Sequence, residues 1–139
     1  MKDALEQVLV NRFPSLYRDC YTDPKTSAMS WGFECGDGWY GIIYNLSLGL
    51  EALQKSRDDL DIVAEQVKEK FGTMRFYTNS DHDPEVRELT DLAEHQTAIT
   101  CEHCGTMGGL WSRKGWIRSL CDDHAKEFQY DKRVERIIR

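Results

Sequence analysis

The chain has 139 residues, of which 40% are hydrophobic and 30% charged, and its formal net charge is −6. It contains no run of about 18 apolar residues that could span a membrane, and residues 1–7 lack the apolar stretch of a signal peptide. We therefore expect a cytoplasmic globular protein of one compact domain. Its acidic charge argues against long nucleic acids, which proteins bind largely through cations that neutralise phosphates.

The first half of the chain predicts two helices with a strand between them. Apolar residues at helical spacing predict a helix over residues 3–12. Residues 28–35 alternate between apolar and polar side chains and predict a half-buried strand. A sharp turn follows at Gly36-Asp37-Gly38, and an apolar stripe over residues 39–57 then predicts the longest helix of the chain.

The next segment predicts a hairpin and a third helix. Residues 61–70 and 73–79 alternate in the manner of strands and are joined around Phe71-Gly72. Asp83 followed by Pro84 is typical of a helix start, with the aspartate as N-cap and the proline in the first helical position. This helix is expected to extend to about Gln96.

Two pairs of potential metal ligands form the strongest motif of the chain. Cys101-x2-Cys104 and Cys121-x2-His124 are separated by sixteen residues. Pairs of this kind hold zinc in a tetrahedron of thiolates and imidazoles. His103 lies inside the first pair, but the four other residues already complete the set. A closed four-ligand site leaves no position for a catalytic water, so we expect one structural zinc ion per chain.

The residues around these ligands predict a treble-clef zinc finger. A knuckle at the first pair is followed by a short hairpin over residues 110–120, with its turn at Lys114-Gly115. The second ligand pair opens residues 121–139, which predict a helix. The expected fold is therefore α+β, with a small, mostly antiparallel sheet and about three helices in residues 1–99. Residues 100–139 are expected to form the zinc finger and its helix, packed on that core as one unit.

Several cationic and aromatic residues suggest a site for a nucleotide-like ligand. A cation recognises phosphate and an aromatic ring stacks on a base. The turn before the long helix exposes backbone N–H groups that suit an anion, unless Asp37 simply caps that helix. The expected ligand-binding residues are Trp31, Asp37, Trp39, Tyr40, Lys68, Lys70, Arg75 and Tyr77.

No catalytic motif is evident in the sequence. It has no Walker-type phosphate loop, no His-Glu-x-x-His zinc motif and no nucleophile elbow. Cys20 and Cys35 have no neighbouring base in sequence, and a reducing compartment favours two free thiols over a disulfide. A non-enzymatic role is therefore favoured, while catalysis stays open.

Three blocks of this sequence resemble a family of small zinc-finger proteins of phages and prophages that usually bear no functional name. The blocks are CGDGW at 35–39, VKEKFGTMRFY at 67–77, and CEHCG at 101–105 with GW at 115–116 and LCDDHA at 120–125. The resemblance implies a phage-type accessory protein in a bacterial host. It would bind and sequester a nucleotide-like immune signal in a counter-defence role.

A second hypothesis is a protein adaptor or inhibitor of a host enzyme. It would use the zinc finger and the surface of Trp111 and Trp116. Under either hypothesis a homodimer is open.

Overall fold

The computed structural model describes residues 1–135, which form an α+β fold with four α-helices and two small sheets. The helices are α1 (Asp3–Arg12), α2 (Tyr40–Ser56), α3 (Pro84–Thr97) and α4 (Asp122–Glu127). The strands are β1 (Phe33–Glu34), β2 (Ala64–Lys70), β3 (Thr73–Thr78), β4 (Gly109–Arg113), β5 (Trp116–Leu120) and β6 (Lys132–Arg133). No helix within the described residues is long and apolar enough to cross a membrane.

The first sheet has the order β1-β2-β3 and carries the larger core. Strand β1 runs parallel to β2, and β2 is antiparallel to β3, so the sheet is mixed. Val67 and Phe76 lie opposite each other in the register of β2 and β3 and are buried. Leu9 of α1, Ile43 of α2 and Val86 of α3 share their hydrophobic cluster. Helices α1, α2 and α3 thus share one hydrophobic core with this sheet.

Strand β3 lies at the edge of the first sheet, and α3 satisfies its outward-pointing backbone. The N–H of Met74 donates to the Thr97 hydroxyl at 3.0 Å, and the N–H of Phe76 donates to the Glu94 carboxylate at 3.0 Å. These side-chain acceptors replace a neighbouring strand and block edge-to-edge pairing. Burial raises the pKa of Glu94 above its ordinary value.

The second sheet has the order β5-β4-β6 and belongs to the C-terminal unit. Within residues 100–135, its cluster of buried residues consists of Cys101, Leu120, Ala125 and Tyr130, and Trp111, Cys121 and Phe128 pack partly buried against them. A core of this size contributes little hydrophobic stabilisation, so the unit depends on additional links.

Two expectations from the sequence are wrong in detail. Residues 28–35 do not form one strand: Ala28–Trp31 is a 3-10 helix, and Gly32 at φ +73° turns the chain into the two-residue β1. The C-terminal helix ends at Glu127, because Gln129 adopts a positive φ of 61° and the chain then returns as β6. Residues 136–139 of the expected helix lie outside the described residues.

Candidate metal centre

Cys101, Cys104, Cys121 and His124 bring one ligand atom each to a common point. All four ligand atoms lie within 4.8 Å of one another. Sγ of Cys104 is 3.9 Å from Sγ of Cys121, and Nδ1 of His124 is 3.6 Å from Sγ of Cys101 and 3.2 Å from Sγ of Cys121. Ligands about 2.3 Å from a tetrahedral ion stand about 3.8 Å apart, so the cluster has the size of a metal site.

Local backbone structure sets this geometry. The first pair lies on a tight turn in which Gly105, at φ +81°, donates its N–H to the Cys101 carbonyl at 2.8 Å. The hairpin of β4 and β5 then returns the chain, and Cys121 is the N-cap residue of α4. Knuckle, hairpin and helix follow one another in the order of a treble clef, as the sequence predicts.

The thiols differ in their environments. A hydrogen bond with the Thr106 hydroxyl lowers the pKa of Cys104, and the backbone N–H of His124 lowers the pKa of Cys121. Burial raises the pKa of Cys101, which is fully buried. The two lowered values favour the thiolate form that binds a metal.

The ring of His124 is held from outside the cluster. It stacks on Phe128 at a centroid distance of 5.6 Å, and its Nε2 is 3.8 Å from a Glu127 carboxylate oxygen. The ring of His103 also lies beside it, at 4.3 Å between centroids, but His103 contributes no atom to the cluster. Such contacts fix the orientation of a metal-binding imidazole.

The Gly36-Asp37-Gly38 turn packs directly on the knuckle. Gly38 donates its N–H to the Glu102 carbonyl at 2.8 Å, and Gly36 donates to the Glu102 carboxylate at 2.9 Å. A Cβ atom at Gly38 would stand 2.1 Å from the Cys101 carbonyl oxygen. The glycines of this turn therefore permit close approach of two backbone segments, a role the sequence analysis did not assign.

Asp37 does not cap the long helix. Its carboxylate accepts the Lys2 backbone N–H at 2.8 Å, just before α1, and lies 3.5 Å from the Lys2 ammonium. No side chain caps α2, whose N-cap residue is Trp39. The backbone of the turn is engaged by Glu102, so this helix start does not offer the open N–H groups expected for an anion.

The aromatic residues of the expected ligand site lie in different environments. Trp39 is fully buried and donates its indole N–H to the Thr100 carbonyl at 3.0 Å. Tyr40 is half-buried and contacts Tyr44. Trp31 is 67% exposed. The buried ring of Trp39 leaves no face for a ligand.

The remaining expected residues do converge on one sheet face. Lys68 pairs in register with Arg75, and Glu34 lies on the other side of Lys68. Arg75 donates to the Thr73 hydroxyl at 2.6 Å and to the Met74 carbonyl at 3.1 Å. Lys70 and Tyr77 are exposed on the same hairpin. Arg75 is thus held by its own strand, and Glu34 is the register neighbour of Lys68 on β1.

A cleft that the sequence analysis missed lies between the two hairpins. This hairpin cleft is about 550 Å³ in volume and is lined by residues 69–71, 114–118 and Tyr130. Phe71 is 60% and Trp116 is 75% exposed, and Lys70 lies 5.7 Å from the Phe71 ring centroid. Gly72 fixes the two hairpins together, because its carbonyl accepts the Ser119 hydroxyl at 2.5 Å.

Both hairpin turns place a large side chain in the left-handed region. Phe71 and Gly72 have φ values of 53° and 84°, and Lys114 and Gly115 have 49° and 85°. Positive φ at both central residues is required by the type I′ turn, which favours asparagine, aspartate or glycine. A phenylalanine costs about 1 kcal/mol or more there. Phe71 thus holds an exposed side chain in a backbone conformation that is unfavourable for it.

Cys20 and Cys35 are free thiols. Burial raises the pKa of each to about 12, so both are protonated at neutral pH. Neither has the lowered pKa of a nucleophilic cysteine.

Comparison of the chain with known protein families, curated proteins and solved structures finds no significant match. The resemblance to phage zinc-finger proteins therefore stays a prediction.

Proposed function

We propose that the four-ligand cluster holds a structural zinc ion. The donor set of three sulfurs and one imidazole nitrogen is one that zinc prefers in structural sites. The four protein ligands leave no open position for water, which supports a structural rather than a catalytic role. The small core of the C-terminal unit supports it too, because metal-binding energy would then supply folding energy.

Native mass spectrometry beside denaturing mass spectrometry tests the metal. One zinc ion per chain is expected in the native mass, and its release is expected on unfolding. A metal-free native protein of unchanged stability would contradict the proposal, and another bound metal would correct its identity.

We further propose that the protein is a non-enzymatic binding module for a nucleotide-like ligand, which it takes in the hairpin cleft. The observation that carries this is the exposed Trp116 ring in a cleft flanked by Lys70, Lys114 and Arg118. An aromatic face stacks on a base, and cations beside it attract phosphate. The strained position of Phe71 in the same cleft is further support.

The matched variants Trp116→Ala and Trp31→Ala test the place of binding. Both rings are more than half exposed, so neither change removes core packing. Nucleotide affinity, measured by titration calorimetry, should fall about tenfold for Trp116→Ala. It should not change for Trp31→Ala. The reverse pattern would move the ligand to the originally expected site, and no binding by the wild type would remove the function.

In the setting that the phage resemblance implies, such a module would sequester a nucleotide immune signal of the bacterial host. A small molecule retained in the native mass and lost on denaturation would support sequestration and give the mass of the ligand.

A protein adaptor is the second candidate, and one observation favours it. Met107 is 86% and Ile99 is 60% exposed, and Gly108 donates its N–H to the Ile99 carbonyl beside the Thr100–Met107 bridge. Two large apolar side chains on the surface near the knuckle are a feature of protein interfaces. Chemical cross-linking to a host protein that Met107→Ser abolishes would support this candidate.

A further inference from the structure

Trp116 stands between two neighbouring cavities. The hairpin cleft lies on one side, and a second cavity of about 520 Å³ lies on the other. This second cavity, here called the turn cavity, is lined by Arg113, Lys114, Trp116, Gln129 and Asp131. Lys114 and Trp116 line both. The concave surface therefore continues past the indole ring and does not end at it.

Cations follow the same path. Lys70, Lys114 and Arg118 line the hairpin cleft, and Arg113 and Lys114 line the turn cavity. Arg118 is 3.5 Å from Glu102, and Arg113 donates to the Phe128 carbonyl at 2.7 Å, so two of these groups are fixed in place. Lys70 and Lys114 are exposed side chains at the rim. The carboxylates of Glu69 and Asp131 line the same cavities, so four cations face two carboxylates along the path. Cations are thus locally in excess on a chain of net charge −6.

We propose that the ligand of this surface is a single-stranded oligonucleotide of several residues, which passes from the hairpin cleft across Trp116 into the turn cavity. The proposal rests on the proposed nucleotide-binding function and specifies its ligand class. Non-specific single-strand sites combine a cationic groove with aromatic rings on which successive bases stack. A mononucleotide would occupy one cavity only, whereas a strand uses both cavities, both exposed rings and every cation on the path.

The two-residue turns favour a single strand over a duplex. Phe71 lies in one two-residue turn and Trp116 directly follows the other, and the two residues are 60% and 75% exposed. Stacking on such rings requires unpaired bases, which a duplex does not present. The expected ligand is therefore unstructured RNA or DNA, and the experiment below decides between ribose and deoxyribose.

Fluorescence anisotropy with labelled oligo-uridylate and oligo-thymidylate of two, four and eight nucleotides tests the proposal, with UMP and dTMP as competitors. We expect affinity to rise at least tenfold from the mononucleotide to the octamer. Log affinity should fall with log salt at a slope of about −2, which is the value for about three phosphates contacted by a single strand. Tighter binding of the ribose or the deoxyribose oligonucleotide would identify the ligand as RNA or DNA.

Charge-matched variants locate the strand. Lys114→Gln should reduce the salt slope by about 0.7, and Lys25→Gln, an exposed lysine away from both cavities, should leave it unchanged. Trp116→Ala should weaken the octamer about tenfold or more.

Each of the other possible results would refute either the strand proposal alone or the nucleotide-binding function as well. Equal affinity for mononucleotide and octamer rejects the strand and leaves the nucleotide site intact. Equal affinity for a duplex rejects the single strand in favour of a general polyanion surface. Complete displacement by poly-aspartate at equal charge rejects it in favour of an acidic peptide. No binding to any nucleotide rejects both the strand and the proposed function.

Discussion

Replacement of Gly38 by alanine tests the contact between the glycine turn and the metal knuckle. A Cβ atom there would stand 2.1 Å from the Cys101 carbonyl oxygen and 2.6 Å from the Glu102 carbonyl oxygen. Both obstacles are backbone atoms of the knuckle, so neither can rotate away as a side chain would. The turn and the knuckle must separate, or one of them must deform.

The magnitude follows from the hydrogen bonds that separation would break. Gly38 and Gly36 donate their N–H groups to Glu102, and Trp39 donates its indole N–H to the Thr100 carbonyl at 3.0 Å. At about 1 kcal/mol for each bond, the free energy of unfolding should fall by about 3 kcal/mol. In a chain of this length, that corresponds to a midpoint of thermal unfolding lower by about 10 °C.

Gly41→Ala is the matched control. A Cβ at Gly41 meets nothing within 4 Å, and the residue lies in α2, where alanine is favoured over glycine by about 0.5–1 kcal/mol. Urea and thermal unfolding should show Gly41→Ala slightly stabilised and Gly38→Ala strongly destabilised. If Gly38→Ala unfolds at the wild-type midpoint, the close packing of turn on knuckle is refuted.

Three other changes have defined outcomes. Cys104→Ser should lose the metal and lower the midpoint of thermal unfolding by about 10 °C or more, and a chelator should have the same effect on the wild type. Cys20→Ser is the control and should keep the metal in elemental analysis. Glu94→Gln retains the acceptor for the Phe76 N–H. Because the pKa of Glu94 is raised in the folded state, the wild type should lose stability relative to Glu94→Gln as pH rises from about 4.5 through that raised pKa, and a relative gain in thermal midpoint would contradict this. Phe71→Asn relieves about 1 kcal/mol of strain in the left-handed region and loses a similar free energy from the partly buried ring. Calorimetry should therefore show near wild-type stability with weaker nucleotide binding. Unchanged affinity would exclude Phe71 from the site.

The parts of the fold that local sequence determines were predictable. The Cys-x2-Cys and Cys-x2-His pairs specify the four-ligand cluster because each pair is set by one turn. Asp83 caps α3 through the backbone N–H groups of Glu85 and Val86, two and three residues away. The two Gly-containing hairpin turns are local in the same sense. In each case the interaction partners are close in sequence.

The failures concern long-range contacts. Gly36 and Glu102 are 66 residues apart, and no periodicity reveals that the glycines make room for a knuckle. The aromatic residues of Gly36–Tyr40 were expected to bind a ligand because sequence does not show that Trp39 is buried against Thr100. The hairpin cleft was missed for the same reason, since it forms only when β2–β3 packs against β4–β5. The sequence did contain one signal, the Phe71-Gly72 pair, because phenylalanine is an unusual residue at a two-residue hairpin turn.

The four-ligand cluster and the hairpin cleft are connected by direct packing contacts and hydrogen bonds. Gly72 packs closely on the β4–β5 hairpin, because a Cβ there would lie 2.9 Å from the side chains of Leu110 and Ile117. That hairpin is held at its far end by Cys121, and Glu102 of the knuckle accepts bonds from the glycine turn while its N–H donates to the Ser119 carbonyl at 2.9 Å. We therefore expect loss of a bound metal to shift Trp116 relative to Phe71. The proposed zinc ion would in this way influence the proposed binding at a cleft that it does not touch.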